Sequence, residues 1–173
     1  MSDISIRALD SAEWEMLRDF RLHALKSAPG AFALSYEECA AWSLQQWRAG
    51  ISAPTHQIFG LFDRENLIGI TGVVTRREDP SGQTALLVMS YIEPAYRGRG
   101  LSDLLYQARL NWIRQSGRFR TVHVSHRASN EASRRANQRH GFVKTGAQLF
   151  RWPDGTVEDE VHYELTLEKH GEN

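Results

Sequence analysis

Three short apolar runs followed by an abrupt change to helical spacing constrain this chain most. Turn residues separate the runs, and β-branched and aromatic residues are frequent in them, so they are predicted to be strands joined as an antiparallel meander. The runs are Ile58–Phe62, Leu67–Val74 and Ala85–Ile92. After Pro94 the apolar residues Leu101, Leu104, Leu105, Ala108 and Trp112 recur at the 3.6-residue period of a helix ending near Gly117.

The remaining elements are read from capping and turn signals. Asp10 with Glu13, and Ser35 with Glu38, have the spacing of capping boxes and each predicts the start of a helix. The predicted elements are a strand at Ser5–Leu9, helices from Asp10 to about Lys26 and from Ser35 to Ile51, a strand at Thr121–Ser125, a helix from Asn130 to His140, and strands at Phe142–Phe150 and Val157–Leu167. No linker or repeat interrupts them, which predicts one α/β domain over residues 1–173.

Cysteine content and hydropathy bear on where such a chain works. Cys39 is the single cysteine, so no disulfide forms within the chain and packing must hold the fold, as expected in a reducing compartment. The N-terminal segment lacks the pattern of a secretory signal, and no apolar stretch approaches the ~20 residues of a membrane span. We therefore expect a cytoplasmic protein that does not act at a membrane.

Charge is balanced overall but concentrated locally. The chain has 21 basic and 21 acidic residues. Between Arg97 and Arg139, however, ten arginines stand against two acidic residues, a local net charge of +8. We expect Arg109, Arg114 and Arg118 to lie on solvated helix faces. A nucleic-acid-binding function is the alternative that the arginines raise, but the chain lacks a recognition motif and an overall positive charge, so no nucleic-acid partner is expected.

The segment Tyr91–Ser102 leads from a strand through a glycine loop into a helix. A helix start offers unpaired amides and a partial positive charge to an anion, and glycine lets the backbone approach it closely. The loop lacks the Gly-Lys-Ser/Thr of a Walker motif and the three glycines of a dinucleotide fingerprint. It therefore predicts another phosphate-bearing cofactor, although a tight strand-to-helix turn alone would also require glycine.

A second block, Asn130–Phe142, follows about thirty residues later, and together the two blocks resemble the GNAT superfamily of acyl-CoA-dependent N-acyltransferases, in its bacterial type. The matching positions are Arg97, Gly100 and Ser102 in the first block and Asn130, Ser133, Asn137, Gly141 and Phe142 in the second. The segment around Arg21–Leu25 is also similar to the first helices of bacterial members. The resemblance implies a β-α-α-β-β-β-α-β-α-β-β order, with a mixed, mostly antiparallel sheet of about seven strands flanked by about four helices.

Two residues depart from the family pattern. Ser102 stands where relatives usually have glycine or alanine, and we expect cofactor binding to survive this change. Asn137 stands where many relatives have a tyrosine that protonates the leaving thiolate. An amide has no comparably acidic proton, but it can stabilise a thiolate by a hydrogen bond. Tyr96 and Tyr106 remain open as substitutes for the missing tyrosine, and as packing residues.

The resemblance implies that an acetyl group passes directly from acetyl-CoA, the co-substrate, to a primary amine of a small molecule or peptide in a ternary complex, without a metal. It assigns the pantetheine arm to the backbone of Tyr91, Ile92 and Glu93, and the main-chain N–H of Ile92 to the developing oxyanion. The other cofactor contacts that it implies are Arg97, Gly98, Arg99, Gly100, Leu101 and Ser102 on the pyrophosphate, with Asn130, Ser133 and Asn137 on the second helix, where Asn137 faces the thiolate.

The base that deprotonates the amine is not singled out by the sequence. Glu93 follows the predicted oxyanion donor directly. His126 continues the parity of Val122 and Val124, and an imidazole titrates near neutral pH. Asp159 shares the predicted inward face of the last strand with Val161. These three residues are the candidate bases, and solvated or structural roles are open for each.

Three matters stay open at this point. A relative that binds CoA without catalysis is the main alternative function, because of Asn137. The acceptor is undetermined, although the first two helices and the loop with Phe32, Ser35 and Tyr36 are expected to wall its cleft, as in relatives. A homodimer is common in similar proteins, but no residue here specifies one.

Overall fold

A computed structural model describes residues 3–168 and contains one mixed sheet. The strands are β1 (Ile4–Ala8), β2 (Ser52–Ala53), β3 (His56–Asp63), β4 (Asn66–Thr75), β5 (Thr84–Ile92), β6 (Thr121–Arg127), β7 (Val143–Arg151) and β8 (Val157–Thr166). Their order across the sheet is β1-β3-β4-β5-β6-β8-β7, with the two-residue β2 paired to β3. Only β5 and β6 pair in parallel. The α+β class and the mostly antiparallel sheet predicted from the sequence are confirmed.

Five α-helices flank this sheet in the described residues. They are α1 (Trp14–Ser27), α2 (Tyr36–Ala40), α3 (Leu44–Ile51), α4 (Ser102–Ser116) and α5 (Glu131–Arg139), with short 3-10 turns at Ser11–Glu13 and Pro94–Tyr96. None of the helices within residues 3–168 is long and apolar enough to cross a bilayer. The two ends of the predicted domain, residues 1–2 and 169–173, lie outside the described residues.

The predicted helix from Ser35 to Ile51 is wrong in one respect, because it is broken into α2 and α3. Ser43 accepts a hydrogen bond from the N–H of Gln46, and the Gln46 side chain accepts one from the N–H of Ser43. This second capping box starts a new helix and ends the continuity of the old one. The apolar spacing runs through the break and therefore does not reveal it. Because of the break, the described residues contain five helices rather than about four.

A divergence in the middle of the sheet separates β5 from β6. Their parallel pairing covers three residue pairs and ends at Leu86 and His123. On its other side β5 stays paired with β4, but a bulge shifts the register between Ile70 and Gly72. Met89, in the bulged part of β5, adopts a left-handed conformation with φ of 66°. A bulge increases local twist and turns a strand away from its neighbour, so β5 and β6 separate towards their C-terminal ends.

Two apolar layers cover the faces of the sheet. Helices α1 to α3 pack on one face, and their core includes Leu17, Trp47 and Ile70. Helix α4 packs on the other face, where Leu110 and Ile113 contact the strands. The buried stripe of α4 consists of Leu105, Tyr106, Arg109, Leu110 and Ile113. This stripe is rotated about the helix axis from the predicted one. It includes Arg109, which we expected to lie on a solvated helix face.

The turn that starts β5 yields a pH-dependent prediction. Hydrogen bonds from the Ser81 and Thr84 hydroxyls and the Ser81 N–H lower the pKa of Asp79 to about 2. A carboxylate with a depressed pKa stabilises the fold above its unfolded-state pKa of about 4 and loses this effect as the pH falls through the folded value. Asp79→Ala should therefore lower the Tm at pH 7, and the difference from the wild type should shrink between pH 4 and pH 2.

The matched control is Glu65→Ala, in the exposed turn between β3 and β4. Its Tm difference should be small and should not follow the same pH profile. A deficit of Asp79→Ala that stays constant down to pH 2 would contradict the assignment of the effect to the ionised carboxylate.

Candidate active site

The divergence of β5 and β6 opens a cavity of about 850 Å³ that passes between the two strands. Tyr106 and Asn137 line it on the side of α4 and α5, and Phe32 lines it on the side of α1. A volume of this order accommodates a small-molecule ligand, and a cavity in a divided sheet is accessible from both faces. The gap is therefore the natural place for two reactants to meet.

One edge of this gap is an unpaired length of β5. Glu93 donates its N–H to the carbonyl of Ile68 on β4, at 2.8 Å. Because N–H groups alternate in direction along a strand, the N–H of Ile92 points away from β4, to the side from which β6 has diverged. The Ile92 carbonyl accepts a hydrogen bond from Arg97 Nε at 2.7 Å. Of the three backbone positions predicted to contact the pantetheine arm, Ile92 has its donor on the unpaired side of β5 and Glu93 does not. None of the three is in the cavity lining, which includes β5 only from Leu86 to Ser90.

The glycine loop between β5 and α4 has the conformation of an anion site. Gly98 and Gly100 have φ values of 75° and 74°, which only glycine adopts without strain. No atom outside the adjacent residues lies within 4 Å of a Cβ built at either glycine, so the space beside the loop is open. Leu101 and Ser102 begin α4 and have no side-chain cap, which leaves their first amides free.

The two arginines of this loop fold back onto aromatic rings. The Arg97 guanidinium lies 5.2 Å from the centroid of Tyr91, and that of Arg99 lies 5.1 Å from the centroid of Tyr96. The Tyr96 hydroxyl donates to Asp63 at 2.7 Å, and this bond raises the pKa of Tyr96. Tyr96 does not line the cavity, so of the two tyrosines left open by the sequence only Tyr106 lies at the gap.

Helix α5 and Tyr106 form the wall opposite β5. Asn130 caps α5 by accepting from the N–H of Ser133 at 3.1 Å, and both residues line the cavity. The Tyr106 hydroxyl donates to Asn137 Oδ1 at 2.5 Å, and burial raises the pKa of Tyr106. Asn137 is 1% exposed, and its Nδ2 has no hydrogen-bond partner within residues 3–168. An unused buried donor is costly, so an acceptor atom of a ligand at this position would be stabilising.

The three candidate bases lie in different surroundings. Glu93 Oε1 is 2.6 Å from His23 Nε2, outside the cavity lining. His126 lines the cavity, but its Nδ1 is 2.7 Å from the Arg127 carbonyl and its Nε2 is 3.1 Å from the Tyr163 hydroxyl. Asp159 shares a face of β8 with Val161, as expected, but Asp159 does not line the cavity. The structure thus brings only His126 to the gap.

The opposite face of β8, with Glu160, His162 and Glu164, forms a wall of the cavity. His162 Nδ1 lies 3.1 Å from His123 Nε2, and Ser125 donates to Glu160 Oε1 at 2.6 Å. The second oxygen of Glu160 is 3.8 Å from His162 Nε2. Burial, reinforced by the Arg76 charge, lowers the pKa of His123, so that ring is neutral at pH 7. The sequence analysis did not predict this cluster of a carboxylate and two imidazoles. The available signal was the alternation of side chains along β6 and β8, which places the three residues on one face of the sheet.

Two arginines without carboxylate partners also border the gap. Arg109 is 2% exposed and donates from Nε to the Leu105 carbonyl at 3.1 Å. Burial lowers its pKa to about 10, so it remains charged at pH 7. Arg21, on α1, is 4% exposed. Both residues line the cavity, and neither takes part in a salt bridge within residues 3–168.

The loop from α1 to α2 crosses the mouth of the cavity on the side of α1. Residues 31–34 line the cavity, and Phe32 is buried there. Arg127 anchors the loop by donating from Nη1 to the Gly30 carbonyl at 3.0 Å, and it also pairs with Asp154 and Glu158. Of the three residues expected to wall the acceptor's cleft, Phe32 lines this cavity, whereas Ser35 caps α2 and neither it nor Tyr36 lines the cavity.

The site holds no evident metal-binding group. Among residues 3–168, no cluster of three His, Cys, Asp or Glu side chains has the arrangement to hold a metal ion. What the site offers is an unpaired strand edge, a glycine loop at a helix start and buried hydrogen-bond donors.

Comparison with known proteins identifies the family. Residues 14–142 match the model of the acetyltransferase (GNAT) family. The chain belongs to this family and is a GNAT N-acetyltransferase, EC 2.3.1.-. Among proteins with curated descriptions, none matches the chain.

Solved structures share the fold at low sequence identity. An acetyltransferase of the GNAT family from Streptococcus pneumoniae is 19% identical, with a TM-score of 0.80, over 95% of this chain and 99% of its own. The protein yncA from Salmonella typhimurium, solved with its cofactor acetyl-CoA, is 20% identical, with a TM-score of 0.76, over 99% of this chain and 98% of its own. RimL, a ribosomal L7/L12 alpha-N-protein acetyltransferase solved with CoA, is 16% identical, with a TM-score of 0.74, over 96% of each chain.

The contact between Tyr106 and Asn137 yields a stability prediction. Tyr106→Phe removes the only side-chain donor to Asn137 Oδ1 in the described residues and leaves that oxygen buried without a partner. The loss should lower the free energy of unfolding by about 1–3 kcal/mol, measured by urea denaturation. Tyr36→Phe is the matched control, because the Tyr36 hydroxyl has no hydrogen-bond partner among residues 3–168 and its loss should have little effect. Equal stabilities of the two variants would refute the proposed role of the bond.

Proposed function

We propose that this protein transfers an acetyl group from acetyl-CoA to the primary amine of a small molecule or peptide, by direct attack in a ternary complex. The unpaired edge of β5 beside the glycine loop is the observation that carries the proposal. When bound, acetyl-CoA supplies the acetyl group as a reactive thioester. The chain's own residues bind it, orient it and manage one proton.

Binding of the cofactor is assigned to main-chain groups. The free amides at the start of α4 and the glycines before it suit a diphosphate, because a helix N-terminus carries a partial positive charge. The open edge of β5 suits an amide-containing arm that hydrogen-bonds like an added strand. Asn130 and Ser133 face the gap from α5. Structures of similar fold hold acetyl-CoA or CoA, which supports this assignment.

Two donors are assigned to the reacting thioester. The Ile92 N–H lies on the unpaired side of β5, where a fixed donor would stabilise negative charge that develops on the carbonyl oxygen. Asn137 Nδ2 has no hydrogen-bond partner within residues 3–168. The Tyr106 hydroxyl fixes the orientation of the same amide by donating to its Oδ1. Asn137 Nδ2 is proposed to donate to the sulfur as the carbon–sulfur bond breaks. Tyr106 is a positioning residue in this scheme, since its proton is directed at Asn137.

The amine must lose a proton before or during attack, since an alkyl amine with a pKa near ~10.4 is protonated at pH 7. We assign the base to Glu160, because its carboxylate is on the cavity wall and is oriented by Ser125. His162 and the neutral His123 continue from it and can receive the proton. His126 is the second candidate at the gap, but both of its nitrogens face neighbouring oxygen atoms. One proton of the ammonium group passes to the base and frees the nitrogen lone pair. The nitrogen then forms the amide bond as the carbon–sulfur bond breaks, and its second proton is taken up by the departing thiolate.

Cofactor binding is tested by thermal shift. Acetyl-CoA should raise the Tm of the wild type, because a ligand that binds only the folded state stabilises it. Gly100→Glu should abolish the shift by adding bulk and negative charge at the loop. Gly82→Glu is the matched control, since Gly82 has φ of 67° and open space around it but lies in the β4–β5 turn. Both variants carry the same backbone strain, and only Gly82→Glu should retain the shift.

No shift in the wild type at millimolar acetyl-CoA would contradict the proposed cofactor. A shift without thiol release across a broad panel of amines would instead indicate a catalytically silent relative that binds CoA as a ligand. A salt-sensitive affinity for DNA in place of the shift would favour the nucleic-acid alternative.

The base is tested by comparing adjacent carboxylates on β8. Glu160→Gln should lower kcat by roughly 10²- to 10⁴-fold, because the side-chain amide cannot accept the proton. Asp159→Asn should leave the rate close to that of the wild type, because Asp159 does not line the cavity. Thiol release from acetyl-CoA at a saturating amine concentration distinguishes the two. A comparable loss of rate in Asp159→Asn or in His126→Gln, with Glu160→Gln active, would move the role to that residue.

A further inference from the structure

Arg21 is a buried cation whose charge nothing in the described structure neutralises. Its Nε and Nη1 are closed to solvent and have no hydrogen-bond partner, although the residue is 4% exposed and lines the cavity. The guanidinium lies 4.8 Å from the centroid of the Phe32 ring, which covers it from the loop between α1 and α2. A cation–π contact satisfies neither of the two N–H groups.

The titratable neighbour of Arg21 does not supply a counter-charge. Cys39 is the group that interacts with it, and burial raises the pKa of this thiol above its ordinary value. The thiol is therefore neutral at pH 7 and is only a weak hydrogen-bond acceptor. Burial in turn lowers the pKa of Arg21, but a guanidinium starts from such a high value that it stays protonated. The site thus contains a permanent positive charge with two unused donors.

The chemistry of the Arg21 guanidinium defines which group of a ligand would pair with it. Its planar fork matches the two oxygens of a carboxylate, and such bidentate pairs are among the strong hydrogen bonds in proteins. Burying the charge unpaired is costly, and that cost is recovered only when an anion enters the cavity. The cofactor's phosphates are assigned to the glycine loop at the start of α4, so Arg21 on α1 is free for the other reactant.

The other walls of the cavity suit the amine of a ligand whose carboxylate binds Arg21. Glu160, on β8, lines the same cavity and would attract a protonated amine. Glu164 lines it too, but Arg76 Nη1 already lies 3.9 Å from its Oε1. The cavity therefore presents a cation on α1 and a carboxylate on β8. A ligand with a carboxylate near its amine complements both charges, whereas a simple alkylamine or a polyamine leaves Arg21 unpaired and brings a second cation near it.

We propose that Arg21 binds the carboxylate of the acceptor, and that the acceptor is consequently a free amino acid rather than a simple alkylamine or a polyamine. The inference rests on the proposed acetyl transfer, whose acceptor site it specifies. Arg21 is a specificity-determining residue in this scheme and takes no part in bond making or in the proton transfer.

The first experiment uses the wild-type protein and matched ligand pairs. Each free α-amino acid of a broad panel is compared with its carboxamide, which has the same side chain and amine but no carboxylate. Thiol release from acetyl-CoA is followed at pH 8. The best amino acid should exceed its carboxamide in kcat/KM by roughly 10- to 100-fold, the range for loss of a charged hydrogen-bonded pair. The same order should appear in ligand-induced Tm shifts of the CoA-bound protein.

The second experiment replaces the side chain. Arg21→Met keeps an unbranched apolar side chain of similar length, and it should reduce the preference for the carboxylate to within about threefold while acetyl-CoA still raises the Tm. Its own Tm without ligands should be equal to or above that of the wild type, because an unpaired buried charge has been removed. Arg18→Met, one turn earlier on α1, is the matched control and should keep the wild-type preference, because Arg18 pairs with Asp19 and does not line the cavity.

The outcomes separate this inference from the function on which it rests. If amines release thiol but the carboxamides equal or exceed the amino acids, the carboxylate site is wrong and the acetyltransferase stands. If Arg21→Met retains the carboxylate preference, another residue binds the carboxylate and the inference fails. If Arg21→Met unfolds while Arg18→Met is stable, Arg21 is structural, and the ligand pairs on the wild type still decide the substrate class. Absence of both the acetyl-CoA shift and thiol release in the wild type would remove the proposed function itself.

Discussion

The separation of β5 from β6 is the constraint on which the rest of the structure depends. Three parallel residue pairs hold the two strands together, and beyond Leu86 and His123 they diverge. The bulge in β5, with Met89 in a left-handed conformation, stores backbone strain of about 1–3 kcal/mol, and the packed layers on both faces hold the strand in this shape. The divergence removes ladder hydrogen bonds from one edge of β5 and makes that edge available to a ligand.

Unpaired polar groups gather around this opening. The buried side-chain atoms without partners in residues 3–168 belong to Arg21, Tyr91 and Asn137. Arg21 and Asn137 line the cavity, and Tyr91 lies on the strand that borders it. Elsewhere in the fold the polar groups follow the general rule that buried donors and acceptors are paired. A concentration of exceptions at one place is characteristic of a site where ligand atoms complete the hydrogen bonding, and here the two sides of the gap carry different unpaired donors.

Local signals were sufficient to predict most elements, since capping boxes, turn residues and apolar periodicity are set by neighbouring residues. The break at Ser43 was missed because apolar spacing continued across it. The face of α4 was misassigned because two overlapping sets of residues satisfy the helical period, and the set with Tyr106 and Arg109 includes polar atoms. The cluster of His123, Glu160 and His162 comes from two strands far apart in sequence, and only the register between them brings these side chains to one wall.

The most direct test of the proposed cofactor site is a crystal structure of the protein with coenzyme A. It should show the diphosphate on the main-chain amides of residues 98–102, the pantetheine arm along the open edge of β5 up to the Ile92 N–H, and the sulfur near Asn137 Nδ2. Coenzyme A bound elsewhere on the surface, or a β6 strand closed against β5 in the complex, would contradict it.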